Sequence, residues 1–84
     1  MENIKNMEWY EINEKLVANF KFKSQSELAQ FLLKVASYAD EINHHPDCKI
    51  HKAFQLEITL YSHDKNRITE LDYQLAQKID DLFH

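Results

Sequence analysis

Along residues 16–22 apolar and polar side chains alternate. Leu16, Ala18, Phe20 and Phe22 share one face and Val17, Asn19 and Lys21 the other, the pattern of a half-buried strand. Trp9-Tyr10-Glu11-Ile12 reads as a shorter strand, with Asn13-Glu14 as the turn of a hairpin between the two. Ser24-Gln25-Ser26-Glu27 is a capping-box pattern, and Leu28, Phe31, Leu32, Val35, Ala36, Ala39 and Ile42 follow it at helical spacing. Pro46 cannot continue that helix and disfavours helical geometry at His45, so the helix is expected to stop near residues 43–44. The alternation of Phe54, Leu56, Ile58 and Leu60 with Gln55, Glu57, Thr59 and Tyr61 is the strongest strand signal, and His63 continues its outer face if the strand stays regular. Thr69-Glu70-Leu71-Asp72 can cap a last helix whose stripe is Ile68, Leu71, Leu75, Ile79 and Leu82. With a further strand around residues 49–51, the pattern predicts an α+β fold: an antiparallel sheet of about four strands with two or three helices packed on one face.

Composition narrows what such a fold can do. At 84 residues the chain is read as a single domain spanning 1–84, with the polar residues 1–7 frayed. A net charge of −4 argues against a nucleic-acid surface, and Lys21-Phe22-Lys23 is too short a basic feature to change that. The chain has no glycine, which excludes Gly-rich phosphate loops and forces any left-handed turn onto other residues. A lone cysteine, Cys48, cannot form an intramolecular disulfide and fits a reducing compartment. No apolar run at Met1-Glu2-Asn3-Ile4-Lys5 suggests a signal peptide, and no stretch approaches the roughly 18 apolar residues of a membrane span. A cytoplasmic protein is expected.

The candidate chemistry lies in Asp40-Glu41-Ile42-Asn43-His44-His45-Pro46 and in Ser62-His63-Asp64. His44, His45 and His63, three of five histidines, fall at the ends of predicted elements, where side chains can converge. Histidine, with an unperturbed pKa of roughly 6.5, both gives and takes protons near neutrality. Such a group suits a reaction that removes one proton and adds another. A metal site built from the three is the weaker reading, because adjacent histidines rarely bind one ion together and no cysteine cluster assists.

These residues resemble the signature of the pterin-4a-carbinolamine dehydratase family, also known as the dimerisation cofactor of a homeodomain transcription factor. That signature has an acidic residue, three residues, His-His-Pro, a strand with an aromatic, another His and a downstream Asp. Here these are Asp40, His44-His45-Pro46, His63 and Asp72. Asn43, Ile58-Thr59-Leu60, Ile68-Thr69, Trp9 and Phe20-Lys21-Phe22 extend the similarity to roughly residues 9–83. Two departures stand out. The interval from His45 to His63 is one residue longer than usual, with Ala53 at the aromatic position and Phe54 next to it, which a strand bulge would absorb. The turn after Ser62-His63-Asp64 is Lys65-Asn66-Arg67 where the family is Gly-rich.

The resemblance implies dehydration of 4a-hydroxytetrahydropterin to quinonoid dihydropterin, as in tetrahydrobiopterin recycling, with no cofactor and no metal. It points to His44 and His63 as the acid/base pair and to His45 as a holder of the pterin. Asp40 or Glu41 could orient a histidine; Asp72 could do so for His63 or line the pocket; Trp9 could wall the flat substrate or belong to the core. Asn43 flanks the pair. A homodimer or homotetramer is implied, through sheet edges or through helices, with Leu71, Leu75 and Leu82 or the 54–60 strand at the contact. The competing reading is a non-enzymatic dimeric interaction module on the same fold.

Overall fold

The computed structural model describes residues 9–84; the segment expected to fray, residues 1–7, lies outside the described residues. The elements are β1 (Tyr10–Ile12), β2 (Lys15–Lys21), α1 (Gln25–Ile42), β3 (Asp47–His51), β4 (Gln55–Leu60) and α2 (Glu70–Phe83). The strands form one antiparallel sheet in the order β1-β2-β4-β3. In the register of β2 and β4, Leu16 faces Leu60, Ala18 faces Ile58 and Phe20 faces Leu56. All six are buried, so these cross-strand pairs make one apolar face. Both helices cover it: Leu28, Phe31 and Val35 of α1 and Leu75, Ala76 and Ile79 of α2 join the same core. Phe20 lies at its centre, with ring centroids 5.4 Å from Phe31 and 4.8 Å from Phe83.

The α+β architecture is as expected, with four strands and two helices. Several details differ. Ala36 and Leu71, assigned to apolar stripes, are exposed. Phe54 precedes β4 and is 46% exposed in the turn. The strand anticipated around residues 49–51 starts earlier, at Asp47. β4 has neighbours on both sides, so the 54–60 strand cannot pair edge-to-edge with another copy; the free edges belong to β1 and β3. Leu75 points inward and is fully buried, which removes it from any outer helix surface.

The glycine-free chain turns on other residues. Asn13 and Glu14, both at positive φ (52° and 61°), join Ile12 to Lys15 in a two-residue hairpin of the type I′ kind. Pairing of β3 with β4 runs unbroken from Asp47–Thr59 to His51–Gln55, so no bulge interrupts it. The irregular backbone is confined to residues 52–54, where Lys52 and Ala53 take φ of 50° and 68°. Asn43 and Asn66 supply two more left-handed positions. Among the described residues, no helix is long and apolar enough to cross a membrane.

Candidate active site

The site begins where α1 ends. Asn43 adopts the left-handed conformation, its N–H reaches the carbonyls of Ala39 and Asp40, and the His44 N–H bonds back to Ala39 at 3.0 Å. This is a Schellman closure with asparagine in glycine's usual place. Pro46 then forbids any helical continuation. The chain therefore emerges with His44 and His45 immediately beyond the helix terminus.

The start of α2 supplies the partner. Thr69 is the N-cap, and Asp72, three residues on, reaches back so that its Oδ2 accepts the Thr69 N–H at 2.8 Å. The same oxygen accepts the Ser62 hydroxyl at 3.0 Å, and Ser62 Oγ lies 2.6 Å from Thr69 Oγ1. The other oxygen, Oδ1, is 2.6 Å from His44 Nε2. Asp72 is fully buried and the His44 side chain nearly so. A carboxylate bonded in this way accepts, so Nε2 of a neutral His44 carries the proton and Nδ1 is left to exchange one. Asp72 thus orients His44 and not His63.

His45 Nε2 lies 2.8 Å from Asp40 Oδ1, one helical turn back, in an exposed pair. His63 follows β4 on an exposed turn, its ring centroid 4.2 Å from that of Tyr61, and Lys15 Nζ lies 4.5 Å from the centroid of the same tyrosine ring. His44, His45 and His63 line one cleft of about 370 Å³ together with Asn43, Pro46, Asp47 and Asp64. Larger clefts of about 510 and 550 Å³ lie elsewhere and carry no histidine; the chemistry, not the size, selects the smaller one. Among the described residues, no group of three or more His, Cys, Asp or Glu side chains is placed to hold a metal ion.

Two residues named from the sequence lie apart from this cleft. Glu41 lines a groove with Lys34, Tyr38 and Lys78. Trp9 is half-buried, packs edge-on against Phe20 at 6.1 Å and donates its indole N–H to Asp80. Its cleft is shared with Leu16, Tyr73, Ala76 and Gln77. Cys48, on β3, is pushed up to about 11, first by desolvation and then by the charge of Asp47. Little thiolate exists near neutrality to act as a nucleophile.

Sequence reasoning passed over Ser62. Its signal was its parity: it continues the inward series Leu56, Ile58, Leu60, and a hydroxyl at a core-facing position needs a buried partner.

A model of the pterin 4 alpha carbinolamine dehydratase family matches residues 2–82. The chain belongs to that family. Among curated members it is 38% identical to a protein of Saccharolobus islandicus named for pterin-4-alpha-carbinolamine dehydratase, over 99% of this chain and 85% of that one. A protein of the same name in Sulfolobus acidocaldarius is 40% identical over 86% and 78% of the two chains. Among solved structures, a transcriptional coactivator/pterin dehydratase from Brucella melitensis superposes with a TM-score of 0.84 at 31% identity, covering 89% of this chain and 81% of that one. A pterin dehydratase-like RuBisCO assembly factor of the alpha-carboxysome has a TM-score of 0.71 at 23% identity, over 88% and 84%, and shares the fold.

Proposed function

We propose that the protein is a pterin-4a-carbinolamine dehydratase, a hydro-lyase that removes water from 4a-hydroxytetrahydropterin in the cytoplasm. Family membership supports the reaction class. One observation carries the residue assignment: His44, bonded to buried Asp72 at 2.6 Å, opens into the same cleft as His45 and His63.

The reaction breaks the C4a–O bond and the N5–H bond and forms the C4a=N5 double bond of the quinonoid dihydropterin. His44 is the base. Its Nδ1 takes the N5 proton, and Asp72 stabilises the imidazolium that results, as a buried carboxylate does for a histidine base. His63, protonated, gives its proton to the leaving hydroxyl, which departs as water. His63, exposed, regains its proton from solvent, and His44 returns its own to water that enters the cleft once the product has left. His45, held by Asp40, bonds the pterin edge. No step calls for a redox cofactor, because dehydration leaves the electron count unchanged.

The self-association implied by the family is retained as part of this reading, with at least a homodimer. Ile50 of edge strand β3 and the neighbouring Phe54 leave large apolar surfaces uncovered, as do Leu71 and Tyr73 on α2.

The test is purified protein added to enzymatically generated 4a-hydroxytetrahydropterin, with dehydration followed optically. Acceleration above buffer is expected. A rate equal to buffer would overturn the enzymatic reading and leave the interaction module, for which stable capture of a protein partner is the supporting result.

A further inference from the structure

We propose that Ser62 is a positioning residue that sets both histidines of the acid/base pair at once, His44 through its side chain and Asp72, and His63 through the turn its backbone closes. The inference rests on the roles proposed above for His44 and His63.

The side-chain arm acts through Asp72. A carboxylate that touches only one histidine can rotate and offer either oxygen. Here Oδ2 is engaged by two donors of fixed origin, the Thr69 N–H at 2.8 Å and the Ser62 O–H at 3.0 Å. Ser62 Oγ in turn lies 2.6 Å from Thr69 Oγ1, far closer than the 3.4 Å between that hydroxyl and Asp72. The consistent proton arrangement has Thr69 O–H donating to Ser62 Oγ and Ser62 O–H donating to Asp72. Oδ1 is then left to His44 Nε2, so the carboxylate is held in one rotation and the ring in one place, with Nδ1 as the free base.

The backbone arm builds the turn that carries His63. The Ser62 N–H bonds to the Arg67 carbonyl at 2.9 Å, and the Ser62 carbonyl accepts from Lys65 at 3.1 Å and Asn66 at 2.8 Å. Every main-chain polar group of Ser62 is thus spent on closing residues 62–67 without glycine. The residue is buried, so water cannot replace these contacts.

The experiment separates the arms. In Ser62→Ala the backbone arm is kept and the hydroxyl lost. Proton NMR of the His44 Nε2–H is expected to show one sharp, slowly exchanging resonance in the parent protein and a broadened, faster-exchanging one in the variant, where Asp72 can turn and the ring is held less firmly. The value of kcat is expected to fall about 10-fold, the lower end for loss of an outer partner of a working histidine, with KM unchanged. Ser62→Thr, which restores a hydroxyl, should recover both. Thr69→Val keeps its backbone donor and removes only the hydroxyl feeding Ser62, so a smaller shift in the same direction is expected; it also serves if Ser62→Ala does not fold. An unchanged Nε2–H resonance and kcat in the folded variants, even with a lower melting temperature, would reduce Ser62 to a structural residue and overturn the proposal. If the parent protein dehydrates no pterin, the functional reading fails, and the Nε2–H resonance of His44 still decides the positioning.

Discussion

The indole N–H of Trp9 donates to Asp80 Oδ1 at 2.9 Å, joining positions 71 residues apart. The bond fastens the entry to β1 onto the second half of α2, under the edge-on contact of Trp9 with Phe20. Trp9→Phe keeps an aromatic ring and removes the donor to a buried carboxylate. A loss of about 1.5–3 kcal/mol is expected, the range for a hydrogen bond to a charged group. Urea unfolding monitored by far-UV circular dichroism measures it; coincident curves would mean the bond contributes nothing.

His44→Ala and His63→Ala should each reduce the dehydration rate at least roughly 100-fold, the scale of one general acid or base. Steady-state rates on the generated carbinolamine check this. A variant that keeps the parent rate removes that histidine from the mechanism.

Asp72→Asn is a sharper probe than removal. The amide oxygen can still accept the Thr69 and Ser62 donors, which turns its NH₂ toward His44. Nε2 must then accept, and the proton moves to Nδ1, the nitrogen proposed as the base. Turnover should fall by about 100-fold or more, as tautomer inversion does in other histidine bases. Retained turnover with an inverted tautomer, read by nitrogen NMR, would show that Nδ1 is not the base.

Much of this arrangement could be read in advance because it is local. The alternation in β4, the Asn13-Glu14 turn, the stop at Pro46 and the Thr69–Asp72 cap each depend on residues a few positions apart. What escaped was non-local or without period. Asp72 meets His44 across 28 positions, and nothing in the spacing distinguishes that partner from His63. β3 lies at the sheet edge with exposed positions from Asp47 to Ile50, so it shows no alternation to betray its start. Phe54 looked like core by parity, yet the three residues after His51 form the turn and β4 begins only at Gln55.

Glu14 occupies a left-handed position that costs a side-chain-bearing residue roughly 1–2 kcal/mol. Glu14→Gly creates the Asn-Gly pair that type I′ hairpins favour. After the entropy glycine gains in the unfolded chain, a net stabilisation of about 0.5–1 kcal/mol is expected. Thermal unfolding reads it, and a lower midpoint would argue against strain at this turn.

Self-association is expected at micromolar concentration. Sedimentation equilibrium should give a mass at least twice the 10.1 kDa of one chain. Ile50→Lys places a charge on the exposed edge strand and should weaken the assembly if β3 forms it. A single species at the mass of one chain would refute the oligomer.

One carboxylate both starts α2 and holds the histidine that opens into the cleft. Fraying of that helix's first turn and release of His44 are therefore the same molecular event. The Thr69 amide, bonded to Asp72, becomes a clock for it: its rate of exchange with deuterated solvent counts how often the base is unset. Catalytic readiness in this fold would then be set by the breathing of a single helical turn, and a bound pterin that slows exchange at Thr69 would do so without touching that residue.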